Sequence, residues 1–119
     1  MSNIHHAIDY IELAVTDLAT TRSFYEAAFG WGFNDYGPEY AGIRSADGDD
    51  EVGGLNATAT PTPGAGPLVL IYSDDLDATV AAVESAGGTV TQGPYEFPGG
   101  RRFHFADPSG NELGVWAKA

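Results

Sequence analysis

Residues 8–33 read IDYIELAVTDLATTRSFYEAAFGWGF, and this stretch decides the fold because a second stretch repeats its pattern. Apolar and polar side chains alternate over residues 8–15, which predicts a strand. Asp17 then predicts a helix N-cap, and apolar residues recur at helical spacing until Gly30 ends the run. Residues 67–90, PLVLIYSDDLDATVAAVESAGGTV, follow the same order of apolar strand, Asp75-Leu76, helix and glycine pair. The chain therefore reads as two copies of one unit.

The two copies fill almost the whole chain. The first covers about residues 8–56 and the second about 67–117, with a Pro- and Gly-rich linker at 57–66. In each copy three further strands follow the helix, which gives the order β-α-β-β-β. A Pro- and Gly-rich loop is predicted over 93–100, before the last two strands. Two such units predict a single α+β domain over residues 1–119, with its helices on one face of curved sheets.

Composition narrows the classes of function. The chain has no cysteine, which excludes disulfides, a thiol nucleophile and a zinc site built on thiolates. Its formal net charge of −12 disfavours nucleic acid and anionic membranes as partners. No apolar run approaches the roughly 20 residues of a membrane span, and the first residues lack the features of a signal peptide. A cytoplasmic location is the expectation.

Several motifs together resemble the vicinal oxygen chelate superfamily, which includes glyoxalase I, extradiol dioxygenases and bleomycin-resistance proteins. The motifs are Asp17-Leu18 with Phe24-Tyr25 and Phe29-Gly30-Trp31, the second-copy Asp75-Leu76 with Gly87-Gly88, and the run from Phe103 to Asn111, FHFADPSGN. The resemblance implies paired βαβββ modules whose curved sheets form a cup open to solvent. It does not imply one activity, because the superfamily contains both metalloenzymes and metal-free binding proteins.

The resemblance also implies where a metal would bind. Members that use a metal have a His on the first strand of each copy and a Glu on the last strand. The corresponding positions here hold Tyr10, Leu68 and Gly114. Leucine and glycine offer no side-chain donor, and a lone tyrosine is a weak ligand for a divalent ion. We therefore expect no metal in the family position, and no motif for a nucleotide or flavin cofactor replaces it.

Strand parity predicts which side chains line the cup. Seven residues lie on the strand faces opposite the apolar positions: Tyr10, Glu12, Tyr72, Arg102, His104, Glu112 and Trp116. Aromatic rings with a few polar groups are typical of a small-molecule pocket. We assign Glu12 and His104 as candidate catalytic groups and the other five as candidate ligand-binding residues.

Each catalytic candidate has a structural alternative. Glu12 is a possible general base, but an ion pair with Arg102 or Arg44 would explain it equally well. His104 is a possible acid or base, whereas a histidine between two phenylalanines on a strand more often hydrogen-bonds to a neighbour. His5-His6 resembles a metal-binding pair, but a chain terminus without a third ligand makes a weak site.

Three functions are compatible with these features. The leading interpretation is a glyoxalase-like protein that binds a small organic molecule in its cup without the family metal. The second is a metal-dependent lyase, epimerase or dioxygenase with relocated ligands Glu12, His104 and Glu112. The third is a non-catalytic accessory subunit. Because members of the superfamily commonly pair, a homodimer is expected.

Overall fold

A computed structural model describes residues 3–48, 50–61 and 67–118. The elements run in the order β1 (Ile11–Ala14), α1 (Leu18–Phe29), β2 (Phe33–Asp35), β3 (Tyr40–Arg44), β4 (Glu51–Asn56), β5 (Leu70–Tyr72), α2 (Leu76–Ser85), β6 (Thr89–Phe97), β7 (Gly100–Ala106) and β8 (Glu112–Lys118). This mixture of helices and sheets confirms the predicted α+β class. Neither helix in the described ranges is long and apolar enough to cross a membrane.

Both copies of the repeat form sheets with the same strand order. The first sheet has the order β1-β4-β3-β2 and the second the order β5-β8-β7-β6. The first strand of each copy pairs in parallel with the last, and the other neighbours are antiparallel. Because the strand order is identical, each strand of the first copy has the same position in its sheet as the corresponding strand of the second copy.

The two helices begin as the sequence predicts. The Asp17 carboxylate accepts a hydrogen bond from Thr20 N at 3.1 Å, and the Asp75 carboxylate accepts one from Ala78 N at the same distance. Such an N-cap contributes about 1 kcal/mol to helix stability. Gly30 ends α1 in the left-handed region with φ 71°, which glycine adopts without steric cost.

The apolar faces of both sheets share one core with the helices. Phe24 of α1 lies with its ring centroid 5.8 Å from that of Phe105 on β7, so the helix of the first copy contacts the sheet of the second. Val15, Leu55 and Val115 are fully buried in the same cluster. The polar faces of both sheets therefore lie on the sides away from this core.

The turn between β7 and β8 fastens the second sheet to the first copy. Its Asp107 is 5% exposed and accepts a hydrogen bond from the Tyr25 hydroxyl at 2.9 Å. Asn111 Nδ2 donates to the Ala14 carbonyl at the end of β1. Ser109 Oγ lies 2.7 Å from Thr21 Oγ1 of α1. This polar cluster, which includes Asp107, Ser109 and Asn111, joins three elements at the centre of the fold.

Burial raises the pKa of the Tyr25 hydroxyl well above its usual value of 10.0, and the neighbouring Asp107 charge adds to the effect. An elevated pKa in the folded state gives stability that is complete below about pH 10 and is lost as the pH rises further. We expect the free energy of unfolding to fall by about 1.4 kcal/mol per pH unit for this group. Urea unfolding between about pH 9 and 12 should show a shallower fall in Tyr25→Phe, and an identical fall would contradict the assignment.

The structure corrects the predicted loop at residues 93–100. Strand β6 continues through Phe97, and Tyr95 pairs with Arg102 of β7 after register shifts. Pro94 is compatible with this strand because β6 is the edge of its sheet, where a missing N–H breaks no ladder. The first strand is shorter than predicted, covering Ile11–Ala14 only. Of the predicted linker at 57–66, residues 62–66 lie outside the described part of the chain.

Candidate functional site

The structure divides the seven predicted cup residues between two surfaces. Tyr10 and Glu12 lie on the polar side of the first sheet, here called the module-one face. The second set lies on the polar side of the second sheet, called the module-two face, and comprises Tyr72, Arg102, His104, Glu112 and Trp116. Among the described residues, no hydrogen bond or ring contact joins the two sets. Strand parity thus identified the polar side of each sheet, but a single chain does not bring the seven residues together.

On the module-one face, Glu51 accepts three hydrogen bonds. They come from Tyr36 Oη at 2.7 Å, Tyr10 Oη at 2.8 Å and Asn34 Nδ2 at 3.1 Å. These donors hold the pKa of the Glu51 carboxyl below its usual range. Partial burial, together with the bonds to Tyr40 and Glu51, raises the pKa of Tyr10. The face therefore presents an ionised carboxylate surrounded by protonated phenols.

Glu12 belongs to the same network. Its carboxylate accepts from Tyr40 Oη and Asn56 Nδ2, both at 3.0 Å, and Tyr40 Oη lies 2.7 Å from Tyr10 Oη. Glu12 thus forms hydrogen bonds to neutral groups, in place of the ion pair that we considered as its structural alternative. A methyl group on Gly54 would overlap the Tyr40 hydroxyl, so this glycine leaves space for the network. Tyr40 and Glu51 were missed in the sequence. Alternation along β3 places Tyr40 on this face, whereas Glu51 reaches it only through the register shift between β3 and β4.

On the module-two face, four residues form a row across the strands. Register pairs Tyr95 on β6 with Arg102 on β7, Arg102 with Trp116 on β8, and Trp116 with Tyr72 on β5. The Tyr72 and Trp116 ring centroids are 5.0 Å apart at an interplanar angle of 69°. We call these four residues the transverse row. Tyr95 was missed because its segment was interpreted as a loop.

His104 links the transverse row to Glu112. Its Nε2 lies 3.0 Å from Tyr95 Oη and its Nδ1 lies 3.1 Å from Glu112 Oε2, while the residue is 8% exposed. Both ring nitrogens therefore have partners, as in the structural alternative given for this histidine. The catalytic roles predicted for His104 and Glu12 stay predictions.

The donors in the structure do not fit the metal of the family. Leu70 occupies the space beside Gly114, where a methyl group would overlap its Cδ2 atom. Within one chain the relocated set is not brought together either, because Glu12 lies on a different face from His104 and Glu112. Within the described ranges, no three His, Cys, Asp or Glu residues are placed to hold an ion.

A separate cavity lies between the apolar sides of the sheets. It has a volume of about 670 Å³, and its walls include Ile11 and Leu13 from β1, Ile71 from β5 and Leu113 from β8. Trp31, beyond the end of α1, closes one side. Of the seven predicted site residues only Tyr72 contacts this cavity, so it is distinct from the two polar faces.

Two βαβββ modules with a helix-filled core and polar outer sheet faces define the paired-module class that the motifs suggested. Residues 7–115 match the family model of the Glyoxalase/Bleomycin resistance protein/Dioxygenase superfamily, and the chain belongs to that superfamily. The crystal structure of TnmS3, an antibiotic binding protein from Streptomyces sp. CB03234, is similar over 100% of both chains, with 25% identity and a TM-score of 0.73.

Two curated relatives extend the comparison. The chain is 30% identical to the candidate glyoxylase CFP32 of Mycobacterium tuberculosis over 91% of its own length. It is 31% identical to the anthracycline biosynthesis protein DauV of Streptomyces sp. (strain C5) over 97% of its length. The chain spans only 44% and 42% of these two relatives, less than half of each.

Proposed function

We propose that this protein binds a small, flat organic molecule on its polar sheet faces and does so without the metal of its family. The observation that carries the proposal is the transverse row, in which Tyr72 and Trp116 present ring surfaces next to a cationic group. Aromatic surfaces with a few polar anchors are suited to flat ligands. The residues at the family's ligand positions, Tyr10, Leu68 and Gly114, favour binding by side chains alone.

The named relatives support the same class of ligand. TnmS3 is named as an antibiotic binding protein and DauV as an anthracycline biosynthesis protein. Both names concern small organic molecules, and the similarity extends over nearly all of this chain. Fold similarity alone would not identify a ligand, so the argument rests first on the side chains of the faces.

We further propose that the functional unit is a homodimer. Each polar face of one chain is open on its outer side, and a flat ligand needs cover on both sides to be well buried. The module-one face of one copy would supply this cover for the module-two face of another. Light scattering should give twice the 12.5 kDa chain mass, and a monomer would contradict this proposal.

Metal analysis and thermal shift on chelator-treated protein test the binding proposal. We expect no stoichiometric Mn, Fe, Co, Ni or Zn and no change in unfolding temperature when these ions are added. Naphthalene and anthraquinone derivatives should raise the unfolding temperature, because a ligand at about 100 times its Kd adds about 2.7 kcal/mol of stability. Trp116→Leu should reduce that rise. A bound metal that is lost in His104→Ala and retained in a surface control, Asp47→Ala, would overturn the proposal.

A further inference from the structure

We propose that Arg102, supported by Lys118, forms an anion-binding end of the module-two face, so that the ligand carries a carboxylate or a similar anionic oxygen group on its flat ring. This inference rests on the proposed function, which it makes more specific. It predicts a charge preference that ring stacking alone would not produce.

Arg102 and Lys118 have no acidic partner among the described residues. The chain has 17 acidic and five Lys or Arg residues, so carboxylates are plentiful. Arg22 and Arg101 form ion pairs with Glu26 and Asp77 at 3.3 and 3.4 Å. Within the described ranges, Arg102 and Lys118 contact no carboxylate. Their cationic groups lie over aromatic rings instead, with Lys118 Nζ 5.9 Å from the Tyr72 centroid.

The guanidinium of Arg102 is held in a fixed orientation. Its Cζ lies 5.5 Å from the ring centroid of Tyr95 and 5.4 Å from that of Phe97. Its Nε donates to the Tyr95 hydroxyl oxygen, which fixes one edge of the planar group. No described residue accepts a hydrogen bond from its Nη atoms. A preoriented guanidinium with free Nη donors is suited to bind a carboxylate through two parallel bonds.

Hydrogen bonds connect Arg102 to Glu112 through Tyr95 and His104, and the chemistry of each group determines which atom donates. Arg102 Nε can only donate, so the Tyr95 oxygen accepts. With a neutral imidazole, the phenol proton then goes to His104 Nε2, and His104 Nδ1–H goes to Glu112. With a protonated imidazole, His104 Nε2–H donates to the Tyr95 oxygen, and the Tyr95 O–H can donate to another group. In both states the Nη atoms of Arg102 offer only N–H donors, so a ligand group that contacts them must be an acceptor.

Register then places this acceptor next to a stacking surface. Trp116 lies opposite Arg102 on the neighbouring strand, with Tyr72 beyond it. A ring packed on Trp116 would therefore direct an attached carboxylate toward Arg102. The Glu112 carboxylate does not contact Arg102, because Tyr95 and His104 lie between the two groups in the chain of hydrogen bonds.

Three probes with one ring system test the inference: 2-naphthoate, 2-naphthamide and 2-naphthylmethylamine, which are anionic, neutral and cationic. Calorimetric titration should show 2-naphthoate binding about 10-fold or more tightly than 2-naphthamide, because hydrogen bonds to charged groups are strong. Arg102→Gln should abolish this preference, and Arg102→Lys should restore only part of it. Arg101→Gln is the matched control, since the neighbouring side chain pairs with Asp77 and should leave the preference unchanged.

Each other result has a separate meaning. If all three probes bind equally, or the amine binds best, the anion site is wrong while the proposed function stands. If none binds at millimolar concentration, the proposed function fails and the inference with it. If Arg102→Gln converts a dimer to a monomer, Arg102 pairs with an acidic face of a second copy, and the anion site is again overturned. Circular dichroism of each variant checks that the fold is intact.

Discussion

Replacing Asp107 by alanine is expected to lower the free energy of unfolding by about 3–5 kcal/mol, because several donors in a buried network lose their partner together. One carboxylate oxygen accepts the backbone N–H groups of Ser109 and Asn111, each at 2.9 Å. The other accepts the Tyr25 hydroxyl and Asn111 Nδ2. Alanine would leave all four donors without this partner, and Tyr25 is fully buried. An unsatisfied buried donor costs about 1–3 kcal/mol.

Denaturant unfolding at a single protein concentration measures this loss. Asp47→Ala is the control, since this exposed turn residue should change stability by less than about 0.5 kcal/mol. Tyr25→Phe removes one donor of the four and should cost about 1–2 kcal/mol. If Asp107→Ala is no more destabilising than Tyr25→Phe, the turn does not join the two copies as described, and its conformation survives without the carboxylate.

The sequence predicts best those features that depend on neighbours along the chain. The Asp17 N-cap, the Gly30 helix end and the α+β class are confirmed because each depends on local conformational preferences. The extension of β6 was missed because Gly93 and Pro94 read as a loop. At an edge strand these residues are tolerated, and edge position is set by tertiary pairing that local sequence does not encode.

The candidate site was predicted less completely, for a geometric reason. Strand alternation assigns Glu12 and Arg102 to the side of their sheet that faces away from the core, and it is correct for both. It does not say whether the polar sides of two sheets face each other. That relation depends on the placement of the helices, which here fill the space between the apolar sides. Whether the two faces form one pocket therefore depends on how two copies of the chain assemble.

Hydrogen bonds and apolar packing occupy the positions where metal-using members of the family have ligands. At the family's first ligand position, Tyr10 contributes a hydroxyl to a network that ends on the Glu51 carboxylate. At its last position, Gly114 has no side chain, and Leu70 packs into the space. Phenols and amides satisfy the carboxylate acceptors of the module-one face. The fold is retained while the chemistry of the faces changes, which is why family membership does not settle the activity.

Replacing Gly53 by alanine is expected to destabilise the protein by about 3 kcal/mol, at the upper end of the usual cost of overpacking. Gly53 is buried on β4 and pairs with Ile11 of β1. A methyl group there would overlap the Ile11 carbonyl oxygen and lie 3.3 Å from Ile43 Cδ1. Because the carbonyl is backbone, relief requires the β1–β4 pairing to open. Glycine at this position therefore allows the backbone of β1 to approach β4 closely.

Gly48→Ala provides the matched control for this change, because a methyl group at that position would meet no atom closer than 3.8 Å. Hydrogen exchange of the amides in β1 and β4 distinguishes the mechanism from a general loss of stability. Protection should fall most at Leu13 and Leu55, which pair in the same ladder. An unchanged unfolding free energy in Gly53→Ala would mean that β1 shifts at little cost. In that case the position of Glu12, which is carried on β1, is not fixed by its pairing with β4.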